Sequence, residues 1–276
     1  MLSCSEGKKH GLTIVPLSVT IGHESWLENE EISKEEFLKR VRSGGIPSSA
    51  APSIGMTIEA YDCEEEVLHV AMADGFSGAY DVACSAKTQA RHPDRVHVLN
   101  SETMCIPQRA LVYRAMELLA AGTSKEELFE QMHAMIASAN SYLVPEDFDF
   151  LRRGGRLTPM AARFASILKV IPVMTVSKDR LRIEKMSTTR TIAAATRAVE
   201  KSLRSWGLRE SYYISVSHAD NYKRARKIAD LLKEAFPKNR MGIFNLGPAF
   251  ITQGGPGCVA IQCVDLAGSS IDPSSV

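Results

Sequence analysis

Apolar positions along the chain change period about half-way. Leu12-Thr13-Ile14-Val15-Pro16-Leu17-Ser18-Val19-Thr20-Ile21 is a β-branched run and reads as a strand, with its proline suited to an edge or a bend. Ser33, with Glu36 three positions on, is a capping-box signature opening a helix through Phe37, Leu38 and Val41. The Gly-, Pro- and Ser-rich stretch 43–53 ends that helix and reads as a loop. A short helix is predicted over 54–62, a strand over 67–73, a tight turn at Gly75-Phe76-Ser77-Gly78 and a helix over 79–91. A strand over 96–99 and helices over 106–121 and 124–139 follow. Strands alternating with helices of this length predict βαβ units and a mainly parallel sheet.

After about residue 140 the pattern differs. Strands are predicted at 141–145, 171–176, 181–187, 212–217, 240–246 and 258–264, with helices at 159–168, 190–205 and 221–235. Ser177-Lys178-Asp179-Arg180 is a short polar turn between two of these strands, which must therefore run antiparallel. This half predicts an α+β domain with a mostly antiparallel sheet. The Ser-rich tail 269–275 reads as frayed.

Length and charge narrow the picture. The chain has 276 residues, enough for about two domains, and the change of pattern divides them as 1–140 and 141–276. With 33 Lys+Arg against 32 Asp+Glu the formal charge is +1, which argues against nucleic acid as a partner and for a small or apolar ligand. No apolar run is long enough for a membrane span. The first ten residues lack the apolar core of a signal peptide, so the expected location is the cytoplasm. Cys4, Cys63, Cys84, Cys105, Cys258 and Cys263 form no CxxC and no metal-ligand spacing with histidine, so reduced thiols and no metal are expected.

Four loops carry candidate chemistry. Gly75-Phe76-Ser77-Gly78 follows an apolar strand and precedes a helix, where free N–H groups favour an anion. Its spacing is not that of the nucleophile elbow G-x-S-x-G, because Gly78 directly follows Ser77 and position 79 is alanine. Pro47-Ser48-Ser49-Ala50-Ala51-Pro52-Ser53 offers hydroxyls between two prolines. Leu151-Arg152-Arg153-Gly154-Gly155-Arg156-Leu157 places an arginine after paired glycines, a forked donor for a carboxylate or phosphate. Gln253-Gly254-Gly255-Pro256-Gly257 leads into the last strand and matches neither a P-loop nor GxGxxG. Asp74 is placed to cap the serine turn, and His218 ends a strand; no histidine lies at HExxH or HxH spacing.

These four loops, in this order, resemble those of the DegV family of bacterial fatty-acid-binding proteins. The family's Pro-x-Thr-Ser-Gln-Pro-Ser loop aligns with 47–53, its Ser-Ser-x-Leu-Ser-Gly-Thr-Tyr turn with 73–80, its Leu-x-x-Gly-Gly-Arg-Ile with 151–157 and its His-Thr-Gly-Pro-Gly with 253–257. Here the loop threonine is Ser49, the next two residues are Ala50 and Ala51, and the histidine is Gln253. Measured against the family, a first apolar strand is expected to be missing. The resemblance implies an α/β fold, an N-terminal α/β/α domain with a mainly parallel sheet plus a smaller α+β domain, enclosing one long-chain fatty acid between them. It further implies a carboxylate held by Ser49 and Ser77 with the Gly78 N–H nearby, Gln253 at the histidine position, and no cofactor. In relatives that serve fatty acid kinase a separate kinase subunit phosphorylates the acyl group, and Arg156 occupies the position associated with that step. The implied protein is a lipid carrier, not an enzyme. A serine-dependent acyl hydrolase or transferase using Ser77 is the alternative, although no histidine is assignable as its base.

Overall fold

The computed structural model describes residues 3–163, 170–266, 268, 269 and 273. These residues divide into two units, Met1–Glu102 with Gly247–Gln253, and Thr103–Leu246 with Gly254–Val276.

The first unit opens with α1 (Cys4–Lys9), β1 (Ser18–Ile21), β2 (Glu24–Leu27), α2 (Lys34–Arg42) and β3 (Pro47–Ala50). Ser33 caps α2 by accepting the Glu36 N–H at 3.2 Å, while the Glu36 carboxylate turns outward to Arg40 at 2.9 Å. The hydroxyl half of the expected capping box is therefore made, and the acid serves an i,i+4 pair. Phe37, Leu38 and Val41 are buried, the stripe the periodicity predicted. The strand expected over 12–21 is confined to its last four residues. Its partners are β2 and, unexpectedly, β3, in an antiparallel sheet of order β2-β1-β3. Residues 47–50, read as loop, are an edge strand with Ser49 opposite Val19. Proline at the first position of an edge strand removes no ladder hydrogen bond, and two serines give no apolar alternation to read.

Next come α3 (Ile54–Tyr61), β4 (Val67–Ala71), α4 (Ala79–Gln89) and β5 (Val96–Asn100). β4 and β5 pair in parallel, from Val67 opposite Val96 to Ala71 opposite Asn100, with α4 as the crossover. Tyr61, Ala86, Ala90 and Val96 form the core beneath them. This is the βαβ unit the sequence predicts.

The second unit contains α5 (Cys105–Ala120), α6 (Lys125–Ser138), β6 (Asn140–Val144), α7 (Phe148–Gly154), α8 (Pro159–Ala162), β7 (Ile171–Val176) and β8 (Ile183–Thr189). It continues through α9 (Ile192–Trp206), β9 (Tyr212–His218), α10 (Tyr222–Ala235) and β10 (Arg240–Asn245). After α11 (Pro248–Gly254), whose residues up to Gln253 belong to the first unit, it ends with β11 (Val259–Asp265). Its sheet has the order β10-β9-β11-β6-β7-β8, parallel at β9–β10 and antiparallel elsewhere. The hairpin expected at 177–180 joins β7 to β8. Ser177 accepts the Arg182 N–H at 3.0 Å, and the turn's Arg180 donates to the carbonyls of Ile136, Ala137 and Ala139 at the end of α6.

The sequence pattern divides the chain at 140/141, whereas the two compact units meet along the chain at 102/103 and the second is the larger. The cause is the packing of α5 and α6, which lie against β11 with Ala110, Leu111, Leu118, Leu128, Met132 and Ile136 buried. The helix expected over 159–168 is described only as Pro159–Ala162, and most of the remainder lies outside the described residues, as does most of the tail 269–275.

Candidate functional site

Ser49 is half-buried on β3, and two side chains from α11 converge on its hydroxyl. Gln253 Nε2 donates to Ser49 Oγ at 3.5 Å, and Thr252 Oγ1 lies 3.3 Å from the same oxygen. Thr252 also reaches the Ala249 carbonyl at 2.7 Å and accepts from Gln253 Nε2 at 3.1 Å. A threonine has one hydroxyl hydrogen, and the 2.7 Å carbonyl contact is the stronger claim on it. The 3.3 Å contact is then one in which Thr252 Oγ1 can accept the Ser49 hydrogen, and the Ser49 hydroxyl can rotate between that oxygen and a ligand. Gln253 Oε1 is buried and lacks a partner among the described residues.

Ser77 sits two residues before α4. Its Oγ accepts the Ala79 N–H at 3.2 Å, and its backbone N–H donates to the Ala73 carbonyl at 3.1 Å. Asp74 caps the turn at its other end, accepting the Gly75 N–H at 2.8 Å. Gly78 is exposed, and a Cβ built on it would lie 3.7 Å from the Ala51 Cβ. That distance makes the serine turn and the 47–53 strand and loop neighbours. Among the described residues none of the hydrogen bonds of Ser77 involves a histidine.

One unrecognised residue completes this region. Glu28, which follows β2, is 4% exposed and accepts the Ala249 N–H at 2.9 Å in the first turn of α11. Burial raises its pKa above the ordinary value, and the Ala249 hydrogen bond partly opposes that rise. Nothing in the polar stretch 24–31 marks Glu28 from sequence, because its partner is 221 positions away. Thr252 is equally silent.

Of the predicted residues, Ser49 and Gln253 are in contact, and Gly78, adjoining Ser77, stands beside Ala51. Arg156 stands in the second unit. It follows Gly155, whose φ of 71° ends α7 in the left-handed conformation that glycine adopts without strain. The Arg156 guanidinium turns back to donate to the Gly154 carbonyl, and the Arg156 carbonyl accepts the Ile183 N–H at 2.8 Å. His218 is also in the second unit, the buried last residue of β9, where Nδ1 accepts the Asn221 N–H at 3.2 Å. Among the described residues no group of three or more His, Cys, Asp or Glu is placed to hold a metal ion. No helix among them is long and apolar enough to cross a membrane.

Residues 1–265 match the family model described as uncharacterised protein, DegV family. The chain belongs to the DegV family. Among relatives, it is 25% identical over 273 residues to a DegV domain-containing protein of Halalkalibacterium halodurans, covering 95% of this chain and 94% of that one. Protein DegV of Bacillus subtilis is 25% identical over 266 residues, covering 92% of each. Among solved structures, a DegV family protein from Thermus thermophilus, studied for fatty acid binding, superposes with a TM-score of 0.85 at 23% identity over 96% of each chain. The fatty acid binding protein DegV of Bacillus subtilis superposes at 0.82 and 24% identity, covering 96% of this chain and 95% of that one. A stearic acid-binding protein from Eubacterium ventriosum gives 0.82 at 20% identity, covering 96% and 94%. The likeness establishes a DegV fold, with its parallel sheet and its larger, mostly antiparallel one.

Proposed function

We propose that the protein binds a long-chain fatty acid and holds its carboxylate with the hydroxyls of Ser49 and Ser77, the Gly78 N–H and the Gln253 carboxamide. The observation that carries this reading is the convergence at Ser49. Its hydroxyl meets two polar side chains of α11, Thr252 and Gln253, and Ala51 in the same segment adjoins the turn that bears Ser77. A carboxylate removed from water needs several donors to offset its desolvation, and hydroxyl, amide and helix-terminal N–H groups supply them without a buried countercharge. Solved relatives that bind fatty acids, including stearic acid, support the ligand class.

In this reading the carboxylate site fixes orientation and the acyl tail supplies most of the affinity, at about 0.8 kcal/mol per buried CH₂. The protein presents the acid to a separate kinase subunit for acyl-phosphate formation, with Arg156 serving that step from the second unit. In this reading Ser77 serves as a donor to the carboxylate and not as a nucleophile; its hydrogen bonds among the described residues are to the Ala79 N–H and the Ala73 carbonyl. Six cysteines without CxxC spacing suit a reducing compartment, and the proposed location is the cytoplasm. Mass spectrometry of the protein before and after organic extraction is the test. A bound C14–C18 acid, restored by adding palmitate or oleate, is expected. Absence of any acyl species together with no saturable uptake overturns the proposal.

A further inference from the structure

The segment 247–253 belongs to the first unit although the chain on both sides of it belongs to the second. Something must hold it there, and two side chains do. Ser49 meets Thr252 and Gln253 at its end. At its beginning the buried carboxylate of Glu28 accepts the Ala249 N–H, with Gly247 packed so closely that a Cβ there would run into Glu28 Oε1. A carboxylate only 4% exposed, whose one hydrogen bond among the described residues is to a backbone N–H, is a costly way to fill space. An apolar side chain would serve packing better; what it would lack is the acceptor.

We infer that Glu28 is a positioning residue for the carboxylate site: it fixes the first turn of α11 and so sets Thr252 and Gln253 against Ser49. The inference rests on the proposed function. Glu28 touches the backbone of α11, not the ligand, and acts on affinity only through the register of residues three and four positions further along. Loss of the acceptor therefore weakens head-group recognition by one common factor, whatever the length of the tail. Gln keeps an oxygen acceptor in the same place, whereas Leu keeps volume and removes it.

The test compares Glu28→Gln, Glu28→Leu and Gly247→Ala in titrations with myristate and palmitate, alongside amide hydrogen exchange. Expected are a loss of about tenfold or more in affinity for both acids by the same factor in Glu28→Leu and Gly247→Ala, at unchanged stoichiometry, and a value within about threefold of wild type in Glu28→Gln. Exchange protection should fall at 249–253 in Glu28→Leu and hold in β9 and β11. Wild-type affinity in Glu28→Leu overturns the inference, as does a loss that Glu28→Gln does not rescue. Gly247→Ala, which displaces the carboxylate without removing it, carries the test if Glu28→Leu does not fold. If the wild-type protein takes up neither acid, the fatty-acid reading fails; unchanged protection at 249–253 in Glu28→Leu would then separately overturn the positioning role.

Discussion

Thr252 Oγ1 lies 3.3 Å from Ser49 Oγ, bringing together two hydroxyls 203 positions apart in the chain. The edge strand β3 and the helix α11 therefore present one polar surface, with Ser49 at its centre. Replacing Ser49 by Ala is expected to weaken fatty-acid binding by about 1–3 kcal/mol, the range for leaving a desolvated acceptor short of a donor. Ser49→Thr keeps the hydroxyl and adds a β-branched side chain suited to a strand, so its affinity should stay close to wild type. Calorimetric titration of both variants with palmitate checks the pair.

Ser77 has two tasks that one substitution separates. Its Oγ satisfies the Ala79 N–H at the start of α4, and in the proposed site its hydroxyl hydrogen faces the carboxylate. Ser77→Ala should lower affinity by about 1–3 kcal/mol and also lower stability, by about 0.5–1.5 kcal/mol, through the lost hydrogen bond to the Ala79 N–H. Ser77→Asp keeps a capping oxygen and places a negative charge beside the ligand. It should recover the melting temperature and bind no fatty acid. Recovery of both would remove Ser77 from the site.

Gln253 offers a sharper electrostatic test. Its Oε1 is buried without a partner among the described residues, whereas Nε2 donates to Ser49 and Thr252. Gln253→Glu is close to isosteric, removes both donors and adds a charge of the same sign as the ligand. Affinity for palmitate at neutral pH should fall by at least about 2 kcal/mol, and measurements at lower pH should show it returning as the new carboxyl protonates. A pH-independent loss would point to misfolding instead.

Much of this arrangement is legible in the sequence, and the remainder follows a physical pattern. Ser33 announced α2, the polar turn at 177–180 announced the β7–β8 hairpin, and the four loops announced the family, because each is a local signal. β3 was hidden because Ser48 and Ser49 have no strand propensity and pair only because β1 offers an edge. The division at 102/103 has no local signal, because α5 and α6 continue the βαβ rhythm of the first unit yet bury their apolar faces in the second. Glu28 and Thr252 have meaning only through contacts made more than 200 residues away.

His69 makes stability depend on pH in one direction. On β4, its Nδ1 lies 2.5 Å from the Tyr61 hydroxyl, and burial holds its pKa down to about 4. Burial also raises the Tyr61 pKa, so the tyrosine remains the donor and the imidazole stays neutral. The unfolded chain binds a proton at this residue near pH 6.5, where the folded one does not. Its contribution is present above that value and is lost as pH falls toward 4, about 3 kcal/mol in all. His69→Gln, which keeps an acceptor for Tyr61, should flatten the fall in melting temperature between pH 6.5 and 4.

Glu28 works with the opposite sign. Its folded pKa is raised above the ordinary carboxylate value of 4.5, principally by desolvation, so between 4.5 and the raised value the folded state binds the extra proton. Stability attributable to Glu28 therefore falls as pH rises through that interval, and the ionised carboxylate is carried at a cost at neutral pH. Glu28→Gln removes the titration while leaving an oxygen for Ala249. Its melting temperature relative to wild type should climb from pH 4.5 upward and reach a plateau once Glu28 is fully ionised. Melting curves for the two proteins from pH 4 to 8 decide the matter. A difference that stays constant across this range would mean that Glu28 is not titrating from a buried position, whereas a rising difference identifies a carboxylate kept in place at the expense of stability.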